Sequence, residues 1–321
     1  MHKKPNIFIT RKIPDHIVDP YKDDFNFSMW QEEKLPVPRD VLLKEVAEAD
    51  GLLTMVSDPI DEEVICAGNR LKVIANFAVG YDNIDVTFAK ERDIVVTNTP
   101  DVLTESTADL GFSLLMAAAR RIVESAEYVK EDKWQSWAPY MFAGSDIYRK
   151  KIGIVGMGRI GQAIARRAKG FNMSIAYHNR SRHEDAEREL DATYVSFEEL
   201  IKASDFIVSV VPYTKETEKI FNEQTFKQMK KEAIFINISR GQVVDEEALY
   251  YALKNGDIRA AGLDVFETEP IRADHPLLTL NNAVCTPHIG SASESTRTNM
   301  LHLCMRNLKG VLLEKGAETP V

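Results

Sequence analysis

Residues 151–167 read KIGIVGMGRIGQAIARR, and this stretch decides the fold. Ile152, Ile154 and Val155 form a short apolar, β-branched run of the kind a buried strand carries. Gly156, Gly158 and Gly161 follow in the spacing G-x-G-x-x-G. Behind them Ile160, Ala163, Ile164 and Ala168 recur at i, i+3, i+4 and i+8, an apolar stripe along a helix. A glycine turn serving packing alone would need neither that strand before it nor that helix after it. In this setting the first glycine permits a tight turn. The second leaves room for a pyrophosphate against bare backbone, and the third lets the helix lie close to the strand. The helix N-terminus then offers N–H groups and a partial positive charge to the phosphates.

Outward from this unit the pattern repeats. Strand candidates are Lys151–Val155, Met173–Tyr177, Phe206–Val211, Ala233–Ile238, Ala261–Phe266 and Ala283–Thr286. Helical patterns lie between most of them, at Ile160–Lys169, Phe197–Lys202, Glu223–Met229 and Glu246–Asn255. Such alternation implies right-handed crossovers and a mostly parallel, doubly wound sheet. The first 100 residues read as a smaller α/β unit, with strands at Asn6–Thr10, Gly51–Met55, Leu71–Ala75 and Ile94–Thr97 and a helix at Pro38–Ala49. One long helix is expected over Thr104–Lys130, too apolar for a single stripe and hence buried on more than one side. A final helix over Ser293–Leu313 is expected to return to the first unit. The cofactor domain, residues 101–288, is then an insertion into a domain made of residues 1–100 plus 289–321.

Composition narrows the function classes. At 321 residues the chain should hold two domains, and 44% hydrophobic with 28% charged residues excludes disorder. A net charge of −9 disfavours nucleic acid and anionic membranes as partners. An anionic substrate must therefore be held by local cations. Cys66, Cys285 and Cys304 are scattered, have no metal-ligand spacing, and read as reduced thiols of a cytoplasmic protein. No metal is expected. The start, MHKKPNIFIT, lacks the apolar run of a signal peptide, and no stretch reaches the ~18 apolar residues of a membrane span.

The second strand of the nucleotide unit bears on the cofactor. An NAD-binding fold usually carries Asp or Glu about 20 residues beyond the glycines, for the ribose 2′-OH. Here the strand ends Ala176-Tyr177-His178-Asn179-Arg180-Ser181-Arg182, without an acid. Arg180, Arg182 and the Ser181 hydroxyl suit a 2′-phosphate through charge-assisted hydrogen bonds. NADP(H) is therefore expected over NAD(H), which stays possible. The alternative is a solvated basic loop with no ligand.

Three later segments end strands on one sheet edge: Asn237-Ile238-Ser239-Arg240-Gly241, Gly262–Pro270 (GLDVFETEP) and Thr286-Pro287-His288-Ile289-Gly290-Ser291. Singly, these are a surface Arg, an acidic turn and a core His. Together, beside a nucleotide site, an Arg, a carboxylate and a His form a catalytic set. Trp134 and Trp137, in WQSWAP, serve either loop packing or the wall of a pocket.

These segments, with VGYDNID at 79–85 and VGMGRIGQAIARR, resemble the D-isomer-specific 2-hydroxyacid dehydrogenases over nearly the whole chain. WQSWAP, AVGYDNID and the basic loop bring the chain nearest to the glyoxylate/hydroxypyruvate reductases in that family. The resemblance implies two doubly wound parallel-sheet α/β domains, a Rossmann cofactor domain inserted into a flavodoxin-like substrate domain. It implies Arg240 as the substrate-carboxylate and carbonyl ligand, His288 as acid/base and Glu269 as its partner. Val79 and Gly80 would give backbone N–H groups to the carboxylate, and Ser291 would border the substrate. Around the cofactor it implies Thr107, Gly156, Met157, Gly158, Arg159, Ile160 and Gly161. Asn179, Arg180, Ser181 and Arg182 would meet the ribose and its phosphate. Val211, Pro212, Ile238, Asp264 and Gly290 would complete that site, with Asp264 towards the nicotinamide. A homodimer is implied, in which Trp137 of the partner subunit reaches the pocket.

The implied reaction reduces a small 2-oxo acid, glyoxylate or hydroxypyruvate, to the D-2-hydroxy acid, with domain closure excluding water. A 2-ketogluconate reductase is a variant of the same reading. Phosphoglycerate dehydrogenase would need cations for a substrate phosphate, and formate dehydrogenases of this fold carry Gln where Glu269 stands. A reading of another class, an NAD(P)-sensing corepressor, would not need Arg240, Glu269 and His288 together.

Overall fold

The computed structural model describes residues 3–321. The chain divides into two compact units. One takes the described residues up to Leu103 together with Ala292–Val321, and the other is Thr104–Ser291.

In the first unit five strands, β1 (Asn6–Ile9), β2 (Asn26–Met29), β3 (Gly51–Met55), β4 (Val73–Phe77) and β5 (Val95–Thr97), form one parallel sheet in the order β2-β1-β3-β4-β5. Alternation along the strands feeds two cores. Phe8, Leu52, Ile74 and Val96 face helices Arg39–Glu48 and Glu62–Ala67 through Leu42, Val46, Val64 and Ile65. Ile7, Ile9, Leu53, Val73 and Ala75 meet Leu301, Cys304, Met305 and Leu308 of the C-terminal helix Glu294–Leu313. That helix therefore joins the first unit, capped at its start by the Ser293 hydroxyl.

In the second unit β6 (Lys151–Val155), β7 (Ser174–His178), β8 (Ala192–Tyr194), β9 (Phe206–Ser209), β10 (Ile234–Asn237), β11 (Ala260–Leu263) and β12 (Ala283–Cys285) form a parallel sheet in the order β12-β11-β10-β9-β6-β7-β8. The order reverses between β6 and β9, which is where a ligand crevice opens in such sheets. Ile152, Ile154, Val208 and Ile236 pack under helices Thr104–Ala119 and Arg159–Gly170. Val155, Ile207, Phe235 and Leu263 pack under the helices of the other face.

The structure departs from the sequence reading in three places. The helix expected over Thr104–Lys130 is two helices, Thr104–Ala119 and Ile122–Lys130. Arg121 breaks it with φ at +53°, held by its fork on Glu124 and by its guanidinium 5.1 Å from the Phe142 ring centre. The loop closes the first helix where Ser145 N–H donates to Ala119 O at 2.8 Å. Only that first helix is buried on several sides, and Ile122, Val123 and Val129 of the second are exposed. Two short edge strands, β2 and β8, were not foreseen. The crossings between units fall at Leu103–Thr104 and Ser291–Ala292 rather than after residues 100 and 288. Residues 289–291 stay with the second unit because Ile289 and Gly290 N–H both donate to the buried Asp264 carboxylate.

Candidate active site

The three glycines of the β6 turn differ in what surrounds them. Gly156 has φ at +106°, and a β-carbon there would meet Val210 C at 2.8 Å. A β-carbon on Gly161 would lie 2.1 Å from Gly156 O, so helix and turn touch. Gly158 has nothing within 4 Å of that position. It also starts the 12-residue helix Arg159–Gly170 without any side-chain cap. The space over Gly158 and the uncapped N–H groups below it fit a dinucleotide pyrophosphate.

Asn179 braces this turn, its Oδ1 accepting from Met157 N at 2.8 Å. Met157 has its side chain wholly in the core, so it lends no side chain to the cofactor side. Arg159 is exposed and Ile160 half-buried beside it. Val211 and Pro212 follow β9, with Val211 N 3.1 Å from where a Gly156 β-carbon would sit. Ile238 is buried against Gly111, and Thr107 lies beside Gly290, whose β-carbon would be 3.3 Å from Thr107 Cγ2.

At the end of β7, Arg180, Ser181 and Arg182 are all exposed. Arg182, though exposed, is already paired within the protein. Its Nε donates to Glu187 Oε1 at 2.7 Å and its Nη2 to Oε2 at 2.7 Å. That pairing, with a hydrogen bond from Tyr177, holds the Glu187 carboxyl down at about 2.

Arg240, Glu269 and His288 come together at the ends of β10, β11 and β12. His288 Nδ1 lies 2.7 Å from Glu269 Oε2, with the two side chains 30% and 34% exposed. The other oxygen, Oε1, accepts from Phe266 N at 2.9 Å. Burial pushes the Glu269 carboxyl up. The His288 hydrogen bond and charge, the Phe266 N–H and the Arg240 charge outweigh it, and the group sits below its ordinary value. An ionised carboxylate only accepts, so Nδ1 carries a hydrogen and Nε2 is left for chemistry.

Asn237 aims Arg240. Its Oδ1 accepts from Ser239 N at 3.1 Å and Ser239 Oγ at 2.7 Å, and its Nδ2 donates to Arg240 O at 2.9 Å. Gly241 then lies so close to the next strand end that a β-carbon would meet Phe266 C at 1.8 Å. This contact fixes the Arg240 segment against the Glu269 segment.

Asp264 aims His288. It is 1% exposed and accepts from Thr286 Oγ1 at 2.7 Å, Ile289 N at 2.8 Å and Gly290 N at 2.8 Å. Burial raises its carboxyl above the ordinary range although all three donors, and His288, pull it back. His288 itself has φ at +53°, a left-handed backbone costing about 1–3 kcal/mol, and the Asp264 bonds hold it there. Both Asp264 oxygens are thus taken by the His288 loop, which makes its role one of positioning.

Sequence reasoning missed Asn237, Thr286, Gly241 and Glu187. Only Asn237 carried a local signal, since Asn two residues before a turn residue commonly bonds that residue's backbone N–H.

In the first unit, the carbonyls of Val79 and Gly80 accept from the amides of Asn98 and Asn76, each at 2.8 Å. Among the described residues, neither Val79 N–H nor Gly80 N–H donates to another protein group. Ser291 is half-buried, and Trp137 is 76% exposed. No helix among the described residues is long and apolar enough to cross a membrane.

The family model for the D-isomer specific 2-hydroxyacid dehydrogenase NAD binding domain matches residues 112–290. The chain belongs to that family. A glyoxylate reductase of Pyrococcus horikoshii is 52% identical over 99% of this chain and 95% of its own length. One from Korarchaeum cryptofilum is 51% identical with the same coverage. An NADPH-dependent glyoxylate/hydroxypyruvate reductase of Sinorhizobium meliloti, solved with NADP and malonate, superposes with a TM-score of 0.85 at 34% identity. That match covers 99% of this chain and 97% of the other. This 2-hydroxyacid dehydrogenase is accordingly an NAD(P)-dependent oxidoreductase with a two-sheet α/β fold.

Proposed function

We propose that this dehydrogenase reduces glyoxylate, and hydroxypyruvate, with NADPH preferred over NADH. The reading is carried by the 2.7 Å contact between His288 Nδ1 and Glu269 Oε2, with the Arg240 charge acting on the same carboxylate. The bound nicotinamide supplies the hydride. Reduction builds negative charge on the substrate carbonyl oxygen, and His288 as imidazolium gives its Nε2 proton to it and becomes neutral with Nδ1–H kept, worth ~10²–10⁴-fold. Glu269 keeps Nδ1 protonated and fixes the ring. Arg240 presents a planar fork that grips a carboxylate and steadies the developing oxyanion. Val79 and Gly80 carry N–H groups suited to a carboxylate. Arg180 and Ser181 hold the 2′-phosphate. The relatives named glyoxylate reductase, and the NADP-bound one, support this choice of substrate and cofactor. Trp137 of the partner subunit closes the pocket in a homodimer.

A steady-state panel at 340 nm tests the reading, with glyoxylate, hydroxypyruvate and 2-ketogluconate against NADPH and NADH. Highest kcat/KM is expected for glyoxylate or hydroxypyruvate with NADPH. Preference for 2-ketogluconate would move the substrate. Tight NADPH binding with no turnover of any of the three would replace a reductase with a nucleotide sensor.

A further inference from the structure

Sequence alone makes Arg180 and Arg182 equal candidates for a 2′-phosphate, and the structure makes them unequal. Arg182 is bound side-on to Glu187, with Nε at 2.7 and 3.0 Å from the two oxygens and Nη2 at 2.7 Å. Glu187 is anchored from behind. Its Oε1 accepts from the Tyr177 hydroxyl at 2.7 Å, and that hydroxyl accepts from His183 N at 2.7 Å. The Tyr177 ring is fully buried. The Glu187 side chain is 14% exposed while that of Arg182 is 62% exposed. The anion is therefore fixed by the fold, and the arginine comes to it. Arg180 makes no hydrogen bond or ion pair among the described residues, and its charge is felt by Glu216.

A phosphate approaching Arg182 meets a guanidinium and a carboxylate side by side. Attraction to one and repulsion from the other largely cancel beyond their own separation. The fork geometry that suits phosphate is also already occupied. We propose that Glu187 sets the cofactor preference of this enzyme. By neutralising Arg182 and turning its fork onto helix Glu184–Leu190, it leaves Arg180 and Ser181 to hold the 2′-phosphate. The preference for NADPH is thereby weaker than two open arginines would give, and NADH stays usable. This inference rests on the 2′-phosphate reading of the loop given above.

Calorimetry with 2′,5′-ADP and 5′-AMP on the full-length protein tests it without turnover. Arg180→Ala should weaken 2′,5′-ADP by about tenfold, the weight of one charge-assisted hydrogen bond. Arg182→Ala alone leaves the Glu187 charge uncompensated and should weaken 2′,5′-ADP by about three- to tenfold, a loss that Glu187→Gln in the same chain should reverse to within about twofold of wild type. Glu187→Gln keeps the shape and the Tyr177 contact but removes the charge. It should tighten 2′,5′-ADP by about three- to tenfold and leave 5′-AMP unchanged. Adding Arg182→Ala to Glu187→Gln should abolish that gain, and thermal melting would show each variant folded. The double variant Arg182→Ala with Glu187→Gln weakening 2′,5′-ADP as much as Arg180→Ala would overturn the proposal, because Arg182 would then hold the phosphate despite its pairing. So would a Glu187→Gln protein that binds 2′,5′-ADP no tighter than wild type. Should wild type bind the two nucleotides equally, and Arg180→Ala affect both alike, it is the 2′-phosphate reading itself that fails.

Discussion

His288 was visible in the sequence as a residue type at a strand end, but its usefulness depends on contacts that no local pattern encodes. Glu269 lies 19 positions away and Asp264 24 positions away, one fixing the ring and the other the backbone that carries it. Replacing the imidazole should therefore separate chemistry from binding. His288→Ala is expected to lower kcat by about 10²–10⁴-fold while the NADPH dissociation constant, read by fluorescence, stays within about twofold. Loss of NADPH binding with kcat kept would assign the ring to the cofactor instead. Glu269 makes a pH-dependent prediction. Its carboxyl is depressed in the folded state, so the stability it adds is present above its unfolded value near 4.3. That contribution is lost as pH falls through the folded value. The melting-temperature gap between wild type and Glu269→Gln should thus be full at pH 6 and shrink on acidification below about 4. A gap independent of pH would mean that shape, not charge, holds the pair.

At the scale of elements, the strand–turn–helix around Gly156 was legible, β6 running Lys151–Val155 as expected and the helix Arg159–Gly170 reaching one residue further at each end than expected. Its signal is strong because a buried strand and an amphipathic helix flank it on both sides. β2 was not legible, because Asn26–Met29 is an edge strand with partly exposed, mixed side chains. The break at Arg121 was hidden for another reason, as neither Gly nor Pro marks it and its guanidinium is held by Phe142, 21 residues on. Likewise the basic loop after β7 was legible as charge, but not the return of Arg182 onto Glu187 in the helix that follows. The glycine turn gives a paired test of which local feature serves folding and which serves the ligand. Gly161→Ala would push a methyl to 2.1 Å from Gly156 O, whereas Gly158→Ala meets nothing within 4 Å. The first should cost stability of about 1–3 kcal/mol, as overpacking does. The second should leave the melting temperature nearly unchanged yet weaken NADPH by tenfold or more, about 1.4 kcal/mol. Equal losses of stability in both would remove the assignment of Gly158 to the pyrophosphate.

At the scale of the molecule, the insertion of one α/β unit into another was legible because an apolar helix remained after the second series of strands had ended. Its partner, the β1–β3–β4 face, needed covering, and Leu301, Cys304, Met305 and Leu308 cover it. The same bookkeeping leaves one stretch uncovered. Ile122, Val123 and Val129 of the second unit's short helix are exposed, as are Trp134, Trp137 and Tyr140 of the loop behind it, Tyr140 at 88%. Scattered exposed apolar residues are ordinary, but six large ones within 19 positions of one segment are a surface suited to burial against another chain. A second copy of this chain is the expected cover. Sedimentation of the 36.2 kDa chain at micromolar concentration should then report about twice that mass. Val129→Asp with Trp137→Asp places two charges in that face and should return the monomer mass, with the emission of Trp134 shifting to the red as water reaches it. A wild-type protein sedimenting at the single-chain mass, with tryptophan emission already that of exposed indole, would leave this face as solvent surface and remove Trp137 from any neighbour's pocket.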